Sequence, residues 1–301
     1  MPSIQTTLQQ DPEKIIATLG LDTHTARIEV QCLLQHVLQV PRAYLIAHPE
    51  HSLNEVEHAQ YTAWLQRRLC GEPIAYILGE REFFGLRLQL NTHTLIPRPE
   101  TELLVEQALK IIPSNACSVL DLGTGSGAIA LAIAHHRPST HVVACDISSA
   151  ALAVASANAQ HLKIQNINFL QSDWYAELDE QCFDLIVSNP PYIAADDPHL
   201  QLGDLRFEPR SALASGTDGL TAISDIIRHS PQHLNSGGML WLEHGYNQAT
   251  SVRELLQQAG FKSVHSVCDL ADIERISGGT LPNSRQTAKI PDLISQPNKR
   301  P

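Results

Sequence analysis

Apolar positions in the first eighty residues recur at helical spacing. Val30, Leu33, Leu34, Val37 and Leu38 stand at i, i+3, i+4, i+7 and i+8, and Pro41 ends the run. Asp11 followed by Pro12 predicts a helix start upstream. Ser52-Leu53-Asn54-Glu55 has the spacing of a capping box, opening a helix that carries Val56, Trp64, Leu65 and Leu69. A small helical bundle is expected, and a stabilising appendage and a partner-docking module fit its periodicity equally. From Phe83 to Leu95 the pattern changes to alternation, with Phe84, Leu86, Leu88 and Leu90 on one face and the turn-like pair Asn91-Thr92 after them. This predicts a short hairpin linking two domains. Pro97 and Pro99 punctuate its end, and Thr101 to Ile112 begins an amphipathic helix.

Beyond that point short strands and helices alternate. Ser118–Leu122, His141–Cys145, Ile167–Leu170, Phe183–Ser188 and Met239–Glu243 read as strands, with helical runs such as Ile129–His135 and Ala150–Gln160 between them. Repeated βα units imply an α/β fold in which a parallel sheet is covered on both faces, with ligands at the carboxyl ends of the strands. The expected division is a helical domain over 1–82, a hairpin linker over 83–100, a catalytic domain over 101–281 and a polar, proline-bearing tail over 282–301 that is expected to be disordered. No internal repeat is visible.

Composition narrows the function classes. The chain has 301 residues, 43% of them hydrophobic, enough for a large domain and a smaller one. Its net charge of −11 argues against sequence-independent capture of DNA or RNA, which needs basic surface. Cys32, Cys70, Cys117, Cys145, Cys182 and Cys268 are scattered without a C-x-x-C pair, as expected of reduced thiols in a cytoplasmic protein. The first twenty residues lack a signal-peptide pattern, no stretch approaches a membrane span, and the 15 histidines form no metal-ligand spacing, so no metal is expected.

The chemistry concentrates in Asn189-Pro190-Pro191-Tyr192, directly after the apolar run Phe183–Ser188. A strand ending this way delivers two hydrogen-bond acceptors to one point, the Asn189 side-chain oxygen and a prolyl carbonyl, with the flat face of Tyr192 beside them. The prolines fix the backbone before any substrate arrives. Such a group clamps a planar NH2, whose delocalised lone pair is a poor nucleophile unless it is aligned with an electrophile. Asp121-Leu122-Gly123-Thr124-Gly125-Ser126-Gly127-Ala128 lies where the first strand turns into a helix, and Asp146 lies at the end of the next strand, where a ribose-binding acid belongs. This also satisfies a dinucleotide fingerprint. Three alternating glycines and an acid inside the strand favour S-adenosylmethionine over a nicotinamide cofactor, because Asp121 can face an ammonium group and would repel a pyrophosphate. Ser172-Asp173-Trp174, after the third strand, adds an acceptor and an aromatic surface.

These residues resemble class I S-adenosylmethionine-dependent methyltransferases, and more narrowly the release-factor glutamine methyltransferases. Adenine amino-methyltransferases share the tetrad. The narrower resemblance is carried by Gly71-Glu72-Pro73-Ile74-Ala75-Tyr76-Ile77-Leu78-Gly79, by Leu95-Ile96-Pro97-Arg98-Pro99-Glu100-Thr101-Glu102 and by Phe207-Glu208-Pro209-Arg210-Ser211-Ala212-Leu213, and spans roughly 10–280. It implies a Rossmann-like, mostly parallel seven-stranded sheet. It further implies methylation of the side-chain amide of glutamine in the Gly-Gly-Gln tip of a peptide chain release factor, a protein partner docked by the helical domain. Under the resemblance, Gly123, Thr124, Gly125, Ser126, Gly127, Asp146, Trp174 and Asn189 hold the cofactor. Asn189, Pro190, Pro191 and Tyr192 hold the glutamine, with Asn189, Pro190 and Tyr192 in the catalytic roles. Thr94 replaces an aliphatic residue, and Asp272 stands where glycine is common in the family. A monomer with no nucleic-acid or membrane partner is expected. The alternative is an adenine amino-methyltransferase, disfavoured by the acidic balance; a catalytically silent interaction protein and a nicotinamide dehydrogenase rank lower. Deleting residues 1–80 is expected to damage turnover of the intact partner more than cofactor binding.

Overall fold

The structure is a computed structural model that describes residues 1–112 and 116–283. The tail expected from Pro282 onward therefore lies, from residue 284, outside the described residues. Helices α1 (Ile4–Leu19), α2 (Thr23–Leu38), α3 (Arg42–Ala47), α4 (Glu55–Leu69) and α5 (Ile74–Leu78) form the N-terminal unit around Ile4, Ile15, Val30, Leu33, Leu34, Leu45, Tyr61 and Leu65. Two expected helix starts are displaced. α1 begins at Ile4, capped by Ser3, whose hydroxyl accepts from the Thr6 N–H. Pro12 lies inside the helix, on the buried face shared by Ile4, Thr7, Asp11 and Ile15, and the Asp11 carboxyl receives the Tyr61 hydroxyl at 2.8 Å. The capping box of α4 is Asn54 with Glu57, two residues after the expected pair: Glu57 N–H donates to Asn54 Oδ1 at 2.9 Å and Asn54 N–H to Glu57 Oε2 at 2.8 Å.

Strands β1 (Glu80–Phe83) and β2 (Leu86–Gln89) pair antiparallel. Phe84 belongs to the turn and not to the apolar face. It and Gly85 both have positive φ, 50° and 77°, the backbone of a tight hairpin turn whose twist matches the strands. Phe83, Leu86 and Leu88 carry the buried face.

After α6 (Glu102–Ile111) come β3 (Ser118–Leu122), α7 (Ala128–His136), β4 (His141–Asp146), α8 (Ser149–Leu162), β5 (Ile167–Gln171), β6 (Phe183–Ser188), α9 (Thr221–His229), β7 (Leu234–Glu243), α10 (Ala249–Gln258), β8 (Lys262–Cys268) and β9 (Glu274–Thr280). They build one seven-stranded sheet in the order β5-β4-β3-β6-β7-β9-β8. The neighbours from β5 to β7 are parallel, and β9 runs antiparallel to β7 and β8. Apolar clusters lie on both faces, α6 and α7 covering one and α9 and α10 the other. α7 is buried from Ala128 to Ala134, which is why its sequence shows no polar face.

The edge strand β8 and its neighbour β9 escaped the apolar pattern. β8 is half exposed, and β9 carries Gly278, where an added Cβ would lie 2.3 Å from the Trp241 ring. Asp272, where glycine is expected, has φ 58°, a conformation that Asp tolerates better than most residues. Strand order reverses between β3 and β6, so the carboxyl ends of these two strands open a crevice. Both chemical motifs of the sequence lie there. Among the described residues no helix is long and apolar enough to cross a membrane, and no cluster of three His, Cys, Asp or Glu is placed to hold a metal.

Candidate active site

The loop after β3 is made by its glycines. Gly123, Gly125 and Gly127 all have positive φ, at 71°, 57° and 85°. At Gly125 an added Cβ would meet nothing within 4 Å, so the backbone faces open space; at Gly127 it would lie 2.8 Å from Leu131 Cδ1, because that glycine lets α7 pack. The Asp146 carboxylate organises the rim, with Oδ2 accepting from the Gly125 N–H and Oδ1 from the Ser148 N–H, at 2.8 and 2.9 Å. Asn158 in α8 binds the hairpin to the loop through Gln89 and the Ser126 carbonyl. Asp121 departs from the expectation that it faces a ligand. It is fully buried under the loop, Oδ2 accepting from the Thr124 hydroxyl at 2.7 Å, and among the described residues Oδ1 has no hydrogen-bond partner. The central position of β3, covered on both faces, puts it there.

On the neighbouring strand the Ser188 hydroxyl donates to the Leu122 carbonyl at 2.6 Å, tying the two motifs together at their roots. Asn189 Nδ2 donates to Thr101 Oγ1 at 3.1 Å, and among the described residues its Oδ1 accepts nothing. The Tyr192 hydroxyl donates to Glu243 Oε1 at 3.1 Å, and its backbone carbonyl accepts from Gln248 Nε2 at 3.0 Å.

Gly123, Gly125, Asp146, Trp174, Asn189 and Pro191 share one cavity of about 470 Å³. Thr124, Ser126, Gly127, Pro190 and Tyr192 are not among its lining residues; Tyr192 packs against the core on the α9 and α10 side of the sheet. Two wall segments went unassigned in the sequence, Thr92–Leu95 and the stretch containing Pro209, Ser211 and Ala212. In the sequence Thr92 was visible only in a turn-like pair, and Leu95, Pro209, Ser211 and Ala212 only within family-like segments. Glu208 joins them, accepting from the Ile96 N–H at 2.9 Å and from the Arg98 guanidinium. Both are also fastened to the N-terminal unit. The Tyr76 hydroxyl donates to the Thr94 carbonyl at 2.6 Å, Phe207 packs with Ala75, Tyr76, Leu90 and Ile96, and Arg68 reaches Asp204 at 3.3 Å.

Burial pushes the Asp121 and Glu243 carboxyls up to about 7, partly offset by hydrogen bonds from Thr124 in one case and from Thr101 and Tyr192 in the other. A folded-state pKa above the unfolded one gives stability that is present below the ordinary carboxylate range and is lost as pH rises through about 7. Buried His244, held below its ordinary value by desolvation, acts in the opposite sense as pH falls. The two carboxyls outweigh it, so unfolding free energy is expected to be about 1 to 2 kcal/mol lower at pH 8 than at pH 6. Denaturant melts at both values check this, and stability that rises over the interval would contradict it.

A family model described as PrmC N-terminal domain matches residues 15–79, and one described as Methyltransferase small domain matches residues 99–208. The chain is 52% identical over 272 residues to the release factor glutamine methyltransferase of Bordetella pertussis, covering 89% of this chain and 99% of that one. To the protein of the same description from Escherichia coli it is 48% identical over 257 residues, covering 85% and 93%. Among solved structures, the hMettl16 catalytic domain in complex with MAT2A 3'UTR hairpin 1 superposes with a TM-score of 0.55 at 16% identity, over 76% of this chain and 81% of that one. A methyltransferase from Pyrococcus furiosus gives 0.51 at 18% identity, over 73% and 99%. These two likenesses bear on the fold alone.

Proposed function

Because the chain belongs to the release factor glutamine methyltransferase family, we propose that it methylates the side-chain amide nitrogen of the glutamine in the Gly-Gly-Gln tip of a peptide chain release factor, with S-adenosylmethionine as donor. The observation that carries this reading is the convergence of a glycine-cradled crevice and an Asn-Pro-Pro-Tyr strand end on a single cavity. S-adenosylmethionine, when bound, supplies an electrophilic methyl group on a sulfonium.

The residues present suit that donor. The open backbone at Gly125 allows close approach, Asp146 at the rim is an acceptor for ribose hydroxyls, and the Trp174 ring, 3.5 Å from an added Gly123 Cβ, is a flat apolar surface. Asn189 Oδ1 and the Pro190 carbonyl accept the two N–H bonds of the substrate amide and hold its nitrogen with the lone pair toward the electrophile. Catalysis then comes from alignment and electrostatics. The tetrad needs no strong base, because the alkylated amide nitrogen is cationic and acidic enough for water to take its proton. Tyr192, anchored through its hydroxyl, sets the backbone path of the tetrad and gives the amide plane a flat boundary. Residues 1–82, joined through the linker of 83–100 to the catalytic unit of 101–281, serve the partner protein.

Asp146→Ala is expected to weaken S-adenosylmethionine binding by about 1 to 3 kcal/mol, since a charged acceptor is lost and the Gly125 N–H is released from its partner. Calorimetric titration reads this; unchanged affinity would remove Asp146 from the cofactor site. The function itself is tested with a release factor and its Gly-Gly-Gln variant in which that glutamine is alanine, each incubated with enzyme and methyl-labelled cofactor. Label should enter the first and not the second.

A further inference from the structure

We infer that Gln248, which is not among the cavity-lining residues, is a positioning residue whose side-chain amide clasps the far end of the tetrad to the neck of the wall loop. The inference rests on the reading of the tetrad as the clamp for the substrate amide. Gln248 is 8% exposed and stands between β7 and α10. Its Oε1 accepts from the Gly245 N–H at 2.8 Å, and its Nε2 donates to the Tyr192 carbonyl at 3.0 Å and to the Asp218 carbonyl at 3.3 Å. A primary amide has two N–H donors and one carbonyl oxygen, so one orientation alone meets all three contacts. Turned over, the group would set its oxygen against two carbonyls and its NH2 against an N–H.

Helix capping does not explain this side chain. Gln248 is the N-cap of α10, yet its amide caps no N–H of that helix and crosses to other segments instead. The crossing needs Gly219, at φ 77°, where an added Cβ would collide with the Tyr192 carbonyl oxygen and lie 2.7 Å from Gln248 Nε2.

What the clasp does for the site follows from the prolines. Asn189 and Pro190 each precede a proline and are confined to extended backbone, and neither Pro190 nor Pro191 has an N–H by which the tetrad could be tied down. The tetrad is therefore a stiff segment held from its ends. At its root the Ser188 hydroxyl donates to the Leu122 carbonyl, and at its exit Gln248 holds the Tyr192 carbonyl while Glu243 Oε1 accepts the Tyr192 hydroxyl. A displaced exit moves the Asn189 side chain and the Pro190 carbonyl, the two acceptors for the substrate amide. Beyond Tyr192 the chain leaves and returns, with Ile193 N–H donating to the Leu213 carbonyl at 2.9 Å and Ser215 N–H to the Ile193 carbonyl at 2.8 Å. That excursion carries Pro209, Ser211 and Ala212 of the cavity wall, and the bond to Asp218 closes its neck.

The test measures kcat and KM for a full release factor, and cofactor affinity by calorimetry, for wild type, Gln248→Met and Gln248→Glu, with denaturant melts to establish that each is folded under assay conditions. Gln248→Met keeps an unbranched chain without a donor. Gln248→Glu keeps the size and the acceptor for Gly245 but turns an oxygen toward the two carbonyls. Assays at about pH 8 keep that carboxyl charged, above the value of about 7 to which burial pushes Asp121 and Glu243. Each variant should lower kcat roughly ten- to a hundredfold, while KM and cofactor affinity stay within a few-fold, because Gly123, Gly125, Asp146 and Trp174 follow other strands. Should Gln248→Met fail to fold, Gln248→Glu decides. A Gln248→Glu enzyme with wild-type kcat would show that the side chain only tethers Gly245, and overturns the positioning role. A loss spread evenly over kcat, KM and cofactor affinity, the mark of general loosening, overturns it too. A wild type that methylates no glutamine overturns the reading beneath it as well; an active wild type beside an equally active Gln248→Met overturns the positioning role alone.

Discussion

Replacing Asn189 with alanine is expected to lower methyl transfer by at least a hundredfold, roughly the cost of removing one preorganised polar contact from a reacting group. The substitution deletes the acceptor that fixes one N–H of the substrate amide, and with it the alignment that a delocalised lone pair requires. It should leave the fold intact, because the side chain is only half buried and, among the described residues, makes a single hydrogen bond, to Thr101. Steady-state turnover on a release factor, with a denaturant melt as control, checks both halves. A folded Asn189→Ala protein within a few-fold of wild type would remove the tetrad from the chemistry.

Arg68→Ala is expected to have the largest effect on stability, about 3 to 5 kcal/mol, the range for removing one partner of a buried ion pair. Arg68 Nε donates to Glu29 Oε2 at 2.8 Å, and the two residues are 3% and 7% exposed. Burial already raises the Glu29 carboxyl above its ordinary value, and the guanidinium provides the main offset. Arg68 also donates to the Gly71 and Glu72 carbonyls and to Asp204, so its loss loosens a wall of the cavity together with the helical unit. A second change, Glu29→Gln, should recover part of the stability of Arg68→Ala. Denaturant titration of the single and double variants gives the comparison, and a single variant that melts like wild type would show that the pair is not stabilising.

This wall changes what the N-terminal unit means for the site. Helical periodicity treated residues 1–80 as separable, so that a deletion would damage turnover of the intact partner more than cofactor binding. Tyr76, Phe207 and Arg68 instead join the unit to Thr94, Ile96 and Asp204, on or next to the cavity wall. Deletion is now expected to weaken cofactor binding too, and point changes on the outer face of the bundle become the cleaner test of docking.

What the sequence made legible was what contiguous residues carry. The glycine loop and the tetrad each occupy a few neighbouring positions at a strand end, and the sheet's strand order brings the two together. Tyr192 and Glu243, whose side chains hydrogen-bond, were not legible as a pair, since 51 positions separate them. They meet because β7 runs parallel to β6, with Ser188 in register with Leu242. Local signals misled where two candidates competed. Ser52 and Asn54 both suit a helix cap, and the chain uses the one whose partner three residues on is Glu57. At α1, the Ser3 cap and a continuous buried face outweighed the usual reading of Asp-Pro as a start. The last two strands gave no clean alternation, because the edge strand β8 is half exposed and β9 replaces side chains with Gly278 and Gly279 against Trp241 and Phe261.

The central claim is that one cavity aligns a glutamine amide with a methyl donor. Tandem mass spectrometry of a release factor incubated with the enzyme and S-adenosylmethionine tests it most directly, because fragmentation locates the added methyl group. The account predicts a single methyl on the side-chain amide nitrogen of the glutamine in the Gly-Gly-Gln tip, absent with Asn189→Ala enzyme. A methyl group on any other residue, or no modification of the release factor by folded, cofactor-binding enzyme, would contradict it.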